Sequence, residues 1–384
     1  MKTRGRPDFL LIVLTLILVS IGLVMVYSSS SIFSLIEENN DKYYLQKQIM
    51  WAVLGIIGMF TLMNIPYTFF KKHFVKILLF SLLLLVAVLI PGIGTERNGA
   101  RSWIILGPAS IQPAEFAKLA LIIYLAALIS KKGEKFRDFK KGLLPTMIVP
   151  FVLFLLISLQ SDLGSGMILL ATAFMVIYAG GANLKHLGTI ALGFVGLILL
   201  FILTSSYRIQ RFLNFANPWN DGLGGLGTGY QLVHSYFAIA HGGWTGAGFG
   251  KSIEKYLYLP EAQTDFIFAI FSEEMGFFVV LFFLLFYLFF LWRILIVTFR
   301  AKDLFAKLIG IGIVSMIFIQ AFINIGGVIG LIPLTGVPLP FISYGGSSLL
   351  LNCLSMGIVL SISREYSKQK VQKVLNETKA ITNP

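Results

Sequence analysis

Runs of apolar, almost uncharged residues at 9–34, 75–95, 143–162 and 277–292 constrain this chain more than any other feature. About 18 apolar residues let a helix cross a ~30 Å hydrocarbon core, where every backbone N–H and C=O must be satisfied within the segment. Composition agrees: of 384 residues, 57% are hydrophobic and only 13% are charged. A soluble domain needs about twice that charge to cover its surface. The sequence therefore predicts an all-α polytopic membrane protein with ten transmembrane helices. They are placed near 9–30, 45–64, 75–91, 113–130, 143–160, 164–181, 187–206, 266–292, 308–331 and 346–363.

Lys2, Arg4 and Arg6 ahead of an apolar stretch also fit a secretory signal, but 9–27 is too long for one and further spans follow. We read it as a retained first helix. The net charge of +13 would suggest nucleic acid on a soluble chain. Here the charges sort by side. Lys2, Arg4 and Arg6 precede helix one, and Lys71, Lys72 and Lys76 follow helix two. Lys131, Lys132, Lys135, Arg137, Lys140 and Lys141 follow helix four, and Lys185 follows helix six. Arg293, Arg300, Lys302 and Lys307 follow helix eight, while Arg364, Lys368, Lys370, Lys373 and Lys379 lie in the tail. Most of the 31 Lys and Arg thus fall on alternate connections. Basic residues stay on the cytoplasmic side, so both termini are expected there. The single cysteine, Cys353, allows no intramolecular disulfide.

The opposite connections are 31–44, 92–112, 161–163, 207–265 and 332–345. The fourth, a large extracellular loop between the seventh and eighth helices, carries Trp219, Tyr230, Tyr236, Trp244, Phe249, Tyr256 and Tyr258. A connection this long is functional or disordered, and its aromatics point to an ordered layer on the outer membrane surface. The tail 364–384 is polar and is read as a mobile cytoplasmic end.

Charge placed near the outer membrane face marks candidate sites. Glu115 and Lys118 are three residues apart and share a face of helix four. They are either a self-neutralising packing pair or part of a site. Arg101 beside Trp103 can hold a phosphate at headgroup depth. Asp162 sits in a very short outer turn and also fits an N-cap for helix six. Glu261 and Asp265 close the long loop; a carboxylate half-removed from water suits a general base. Thr264 or Asp265 can alternatively cap the next helix. Arg208 and Arg211 can hold an anionic group or anchor in the headgroups. The stretch 333–348, with Pro333, Pro338 and Pro340 and the run from Ser343 to Ser348, cannot be a regular helix. Such backbone fits a re-entrant segment walling a site.

Other motifs carry less. Ser252 and Lys255 fit S-x-x-K, the nucleophile motif of penicillin-binding proteins, without its companion motifs. His73, His186, His234 and His241 lack metal-ligand spacing. The glycines from Gly246 to Gly250 resemble a phosphate loop without its strand or lysine. Gly326 and Gly330 at G-x-x-x-G spacing suit close helix packing.

The run from Asn324 to Ser348, with Gly330, Pro333, Gly336 and Ser343-Tyr-Gly-Gly-Ser-Ser348 in register, resembles the signature of the SEDS family (FtsW/RodA/SpoVE). The resemblance also covers Asn98-Gly-Ala-Arg-Ser-Trp103, Gln112-Pro-Ala-Glu-Phe-Ala-Lys118, Asn217-Pro-Trp219 and 259–266. It is strongest to the SpoVE/FtsW branch of Bacillus-like bacteria. It implies a single transmembrane domain over 1–363 in the bacterial cytoplasmic membrane. It also implies a peptidoglycan glycosyltransferase that polymerises lipid II at the outer face with a class B penicillin-binding protein, for division, sporulation or shape. By the resemblance, the family's essential acid falls on Asp265, its helix-four pair on Glu115 and Lys118, and its Asp between helices five and six on Asp162. Gln263 stands where many members have His, Ala114 where Ser is common and Ser161 where Pro is common.

On this reading Asp265 is the catalytic base, and Arg101, Lys118, Arg208 and Arg211 stabilise a diphosphate. Glu115, Asp162, Glu261 and Ser343 complete the substrate-binding set. A divalent cation (Mg2+ or Mn2+) held by Glu115 and Asp265 is an open option. Two rival classes are a lipid II flippase and a non-catalytic scaffold for the penicillin-binding protein. The outer-face clustering of charge argues against the first, and Asp265, left without a role, against the second.

Overall fold

The computed structural model describes residues 5–382 apart from 98, 108, 205–208, 210–214 and 222. Its helices are α1 (Phe9–Glu38), α2 (Tyr43–Asn64), α3 (Tyr67–Ala87), α4 (Pro113–Lys132), α5 (Leu144–Leu159), α6 (Leu163–Ala179) and α7 (Leu184–Leu203). They continue with α8 (Tyr230–Gly242), α9 (Ile267–Phe299), α10 (Leu304–Val328) and α11 (Gly346–Thr382). A helix stands at each of the ten predicted places. Among the described residues, eight segments are long and apolar enough to cross a membrane: α1, α2, Pro113–Arg137, Phe139–Leu159, α7, α9, α10 and Gly346–Lys368. The other two are α3, which holds Lys71, Lys72 and Lys76, and α6, which has 17 residues.

Several bounds differ from expectation for identifiable reasons. Helix α1 runs past its serines to Glu38, and within it those hydroxyls bond back to the preceding turn. Ser29 Oγ donates to the Met25 carbonyl at 2.8 Å and Ser30 Oγ to that of Val26 at 2.6 Å. Helix α3 begins eight residues before its expected start, since Pro66 is a favourable entry and its lysines suit an end turn. Helix α11 continues through most of the tail, to Thr382.

The expectation of an all-α chain is corrected at 94–111. There β1 (Gly94–Arg97), β2 (Ala100–Leu106) and β3 (Ala109–Ile111) form an antiparallel sheet in the order β1-β2-β3. The Arg97–Ala100 pair is the last of the β1–β2 ladder. In the connection beyond it Gly99 has φ +76°, a left-handed value that glycine adopts at little cost.

Helices α4, α10 and α11 form the centre, mostly buried, while α7 buries Leu187 alone. Helix α2 lies along α11 through small residues: the backbone at Gly55 meets Cys353 and that at Gly357 meets Met59. Without a hydrophobic drive in lipid, such close approach is what holds helices together. The connection 329–345 is irregular yet internal, with Val337, Leu339, Phe341 and Ile342 buried.

Candidate active site

One polar system joins four separated segments. On α4, Lys118 Nζ lies 2.8 Å from Glu115 Oε1, confirming that the two side chains meet across one turn. Both are buried, Lys118 to 1% exposure. A second Lys118 hydrogen bond, 2.7 Å, goes to Gln320 Oε1 on α10. Gln320 in turn donates from Nε2 to the Pro338 carbonyl at 2.9 Å. One turn further along α10, Asn324 Nδ2 donates to the carbonyls of Val337, at 2.9 Å, and Asp265, at 2.8 Å.

Asp265 is half-buried, immediately before α9. Phe266 occupies the cap position of that helix and offers no side-chain hydrogen bond. The Thr264 hydroxyl donates to Glu261 Oε2 at 2.7 Å. Glu261 has φ +57°, a left-handed turn that folds the end of the loop back. Ser343 is buried and its Oγ accepts from the Leu339 N–H at 2.8 Å, so it braces the irregular segment. Gln263 carries the segment's docking on its backbone, its carbonyl accepting from the Tyr344 N–H at 2.8 Å.

Asp162 does cap its helix: Oδ1 accepts from the Ser165 N–H at 3.0 Å. Its other oxygen accepts from Gln112 Nε2 at 2.8 Å. The Gln112 backbone N–H donates to Ser347 Oγ at 3.0 Å, tying the start of α4 to the start of α11. Arg101 is on β2, opposite Glu96, in the sheet that leads directly into α4. Arg208 and Arg211 lie outside the described residues.

Charge gives little support to a metal. The Glu115 carboxylate faces an ammonium, so a divalent cation there would meet like charge. No group of three His, Cys, Asp or Glu suited to a metal occurs among the described residues.

Sequence reasoning missed a second polar cluster beneath the long loop. Glu273 and Glu274 on α9 are fully buried. Lys255 Nζ pairs with Glu274 Oε1 at 2.9 Å, and Ser28 Oγ on α1 donates to the same carboxylate at 2.7 Å. Glu273 accepts from Ser252 Oγ, from the Ile253 N–H at 2.8 Å, and faces His241 Nδ1 at 2.8 Å. Ser252 and Lys255 are therefore the loop's internal ties, each on its own carboxylate. His234 Nδ1 meets Glu254 Oε2 at 2.6 Å, and burial pushes the Glu254 carboxyl above its usual range despite the opposing effect of His234. Two adjacent acids in an apolar helix were the available signal. Elsewhere in the loop, Asp221 accepts from the N–H groups of Gly225, Leu223, Gly229 and Gly227, which hold its carboxyl down at about 2.

Helical spans around an interior polar network define a multi-pass membrane protein with its candidate site at one end of the bundle. The chain belongs to the FtsW/RodA/SpoVE family, whose model, described as "Cell cycle protein", matches residues 8–368. It is 44% identical to Stage V sporulation protein E of Bacillus subtilis, over 95% of this chain and 99% of that one. It is 38% identical to the probable peptidoglycan glycosyltransferase FtsW of Saccharophagus degradans, over 95% of this chain and 94% of that one. Its fold is similar to a chain of a peptidoglycan synthase complex, with TM-score 0.74 and 28% identity over 94% and 98% of the two chains. It is also similar to the Rod shape determining protein RodA of Thermus thermophilus, with TM-score 0.67 and 28% identity over 94% and 97%.

Proposed function

We propose that this chain is a peptidoglycan glycosyltransferase that polymerises lipid II at the outer face of the cytoplasmic membrane. The observation that carries the reading is the half-buried Asp265, anchored through its own carbonyl to Asn324 and linked by α10 to the Glu115–Lys118 pair. Asp265 takes the proton from the GlcNAc 4-hydroxyl of one lipid II. That oxygen bonds to C1 of the MurNAc on the growing chain as the C1–diphosphate bond breaks. Undecaprenyl diphosphate leaves and the anomeric centre inverts. The diphosphate departs without a proton, so one base on the acceptor side suffices.

Lys118 is too deeply buried to touch a diphosphate directly, which makes it a brace for Gln320 and leaves the anion to arginines. Arg101, with Arg208 and Arg211, carries that role. Asp162, Glu261 and Ser343 shape the surrounding backbone. The proposed topology has ten spans with both termini cytoplasmic and the outer loop between α7 and α9. Helix α3 crosses because its lysines gather in its first half, where they can snorkel. Helix α6, at 1.5 Å per residue, covers about 26 Å and suffices for a thin or slightly deformed core. The partner is a class B penicillin-binding protein, which cross-links the strand made here.

The test is polymerisation of lipid II by the purified chain together with its partner synthase. Asp265→Asn keeps the shape and removes the base, and is expected to lower turnover by more than 100-fold. Activity near that of the unaltered protein would remove Asp265 from the mechanism.

A further inference from the structure

Asn324 has an unusual hydrogen-bond balance. Its amide nitrogen donates to two carbonyls from different segments, Asp265 and Val337, while its Oδ1 is buried with no partner. A buried acceptor left unsatisfied costs about 1–3 kcal/mol. The reverse orientation would point Oδ1 at two carbonyl oxygens, so donation fixes the side chain. Gln320, four residues earlier and on the same face of α10, repeats the arrangement. It donates to Pro338 and accepts from Lys118. Two amides one turn apart thus grip two consecutive carbonyls, 337 and 338. One rung ends on the backbone of Asp265 and the other on the Glu115–Lys118 pair.

We propose that Gln320 and Asn324 are positioning residues that hold Asp265 in register with the Glu115–Lys118 pair across the 337–338 backbone. The inference rests on the glycosyltransferase reading above. Neither side chain touches substrate. Asn324 sets where the Asp265 main chain stands, and the lysine charge fixes the rotamer of Gln320. A displacement of about 1 Å at a catalytic base can cost 100-fold in rate while the substrate is still bound. The signature of the brace is therefore a loss in kcat with little change in KM.

The experiment uses the full chain with its partner synthase and lipid II. Asn324→Asp keeps the volume but, when ionised, donates no hydrogen bond. At neutral pH its kcat is expected to fall 10- to 100-fold, with KM for lipid II within about twofold. Burial raises the pKa of the introduced carboxyl. On acidification it regains one donor, so its activity relative to the unaltered protein is expected to rise. A purely structural role would lower the yield of folded protein and leave that ratio flat. Gln320→Met combined with Asn324→Ser should cost less than the product of the single losses, because cutting either rung frees the same backbone. Unchanged kcat in Asn324→Asp, or fully multiplicative losses, would overturn the brace. Asp265→Asn, measured alongside, separates the two ideas: if it stays active, the glycosyltransferase reading fails; if it is inactive while Asn324→Asp is normal, the brace alone fails.

Discussion

A buried ammonium and a buried carboxylate each lose several kcal/mol of hydration, and their attraction offsets this only if the remaining hydrogen-bonding capacity is filled. Lys118 adds a second hydrogen bond, to Gln320, which supports the buried pair. Removing one partner is then far worse than removing both. Glu115→Gln is expected to destabilise the protein by about 3–5 kcal/mol, read as a lower melting temperature of the detergent-purified chain. Glu115→Gln with Lys118→Met deletes both charges and is expected to recover most of that stability while polymerisation stays low. An unchanged melting temperature in the single variant would show that the pair is not the neutralising unit. The pair itself was readable from its i, i+3 spacing. Gln320 was not, because its contact spans 202 positions in sequence and a lone glutamine in an apolar helix has no periodic signature. The same holds for Gln112 beside Asp162: the capping role was legible locally, the second hydrogen bond was not.

At the scale of elements, α9 is two helices joined at Gly276, which has φ +72° and ψ +173°. That region is essentially open to glycine alone. The break exposes backbone groups, and the loop 243–248 fills them. Ala247 and Gly248 donate to the Glu273 and Glu274 carbonyls, and Phe277 and Phe278 donate to those of Gly243 and Trp244, over 2.9–3.3 Å. The short half-helix between Asp265 and Gly276 is thus set by the loop and can be aimed independently of the long half. A Cβ at 276 would strike the Gly246 backbone nitrogen. Gly276→Ala is expected to cost about 1–3 kcal/mol and to raise proteolysis within 243–258; a protease pattern matching that of the unaltered chain would argue against this docking. Apolar runs made the helices legible, but they also concealed this break, since composition is continuous across it. The sheet at 94–111 was legible in principle from Asn98-Gly99 with Thr95, Trp103 and Ile104 around it. The charge of that stretch drew attention to a site and away from its strand pattern.

For the whole molecule, sidedness decides whether the chemistry proposed here faces the lipid-linked substrate. Eight segments among the described residues meet the length and apolarity of a span, so the proposed topology turns on α3 and α6. Each has a distinct consequence. If α3 does not cross, the basic connection after α4 moves outside, against the retention of positive charge within. If α6 does not cross, the long loop and Asp265 move inside, away from where a glycan strand is built. Labelling can read both. Cys353 is the sole cysteine and is buried, so Cys353→Ser gives a clean background with little exposed change. Single cysteines are then placed at exposed positions: Glu37→Cys and Tyr256→Cys for the outer side, Lys135→Cys and Arg300→Cys for the inner. A membrane-impermeant maleimide on intact spheroplasts is expected to label the first two at once and the second two only after lysis. Labelling of Lys135→Cys from outside would show that α3 lies on the membrane. Protection of Tyr256→Cys with labelling of Glu37→Cys would place the long loop in the cytoplasm and remove the outer-face site.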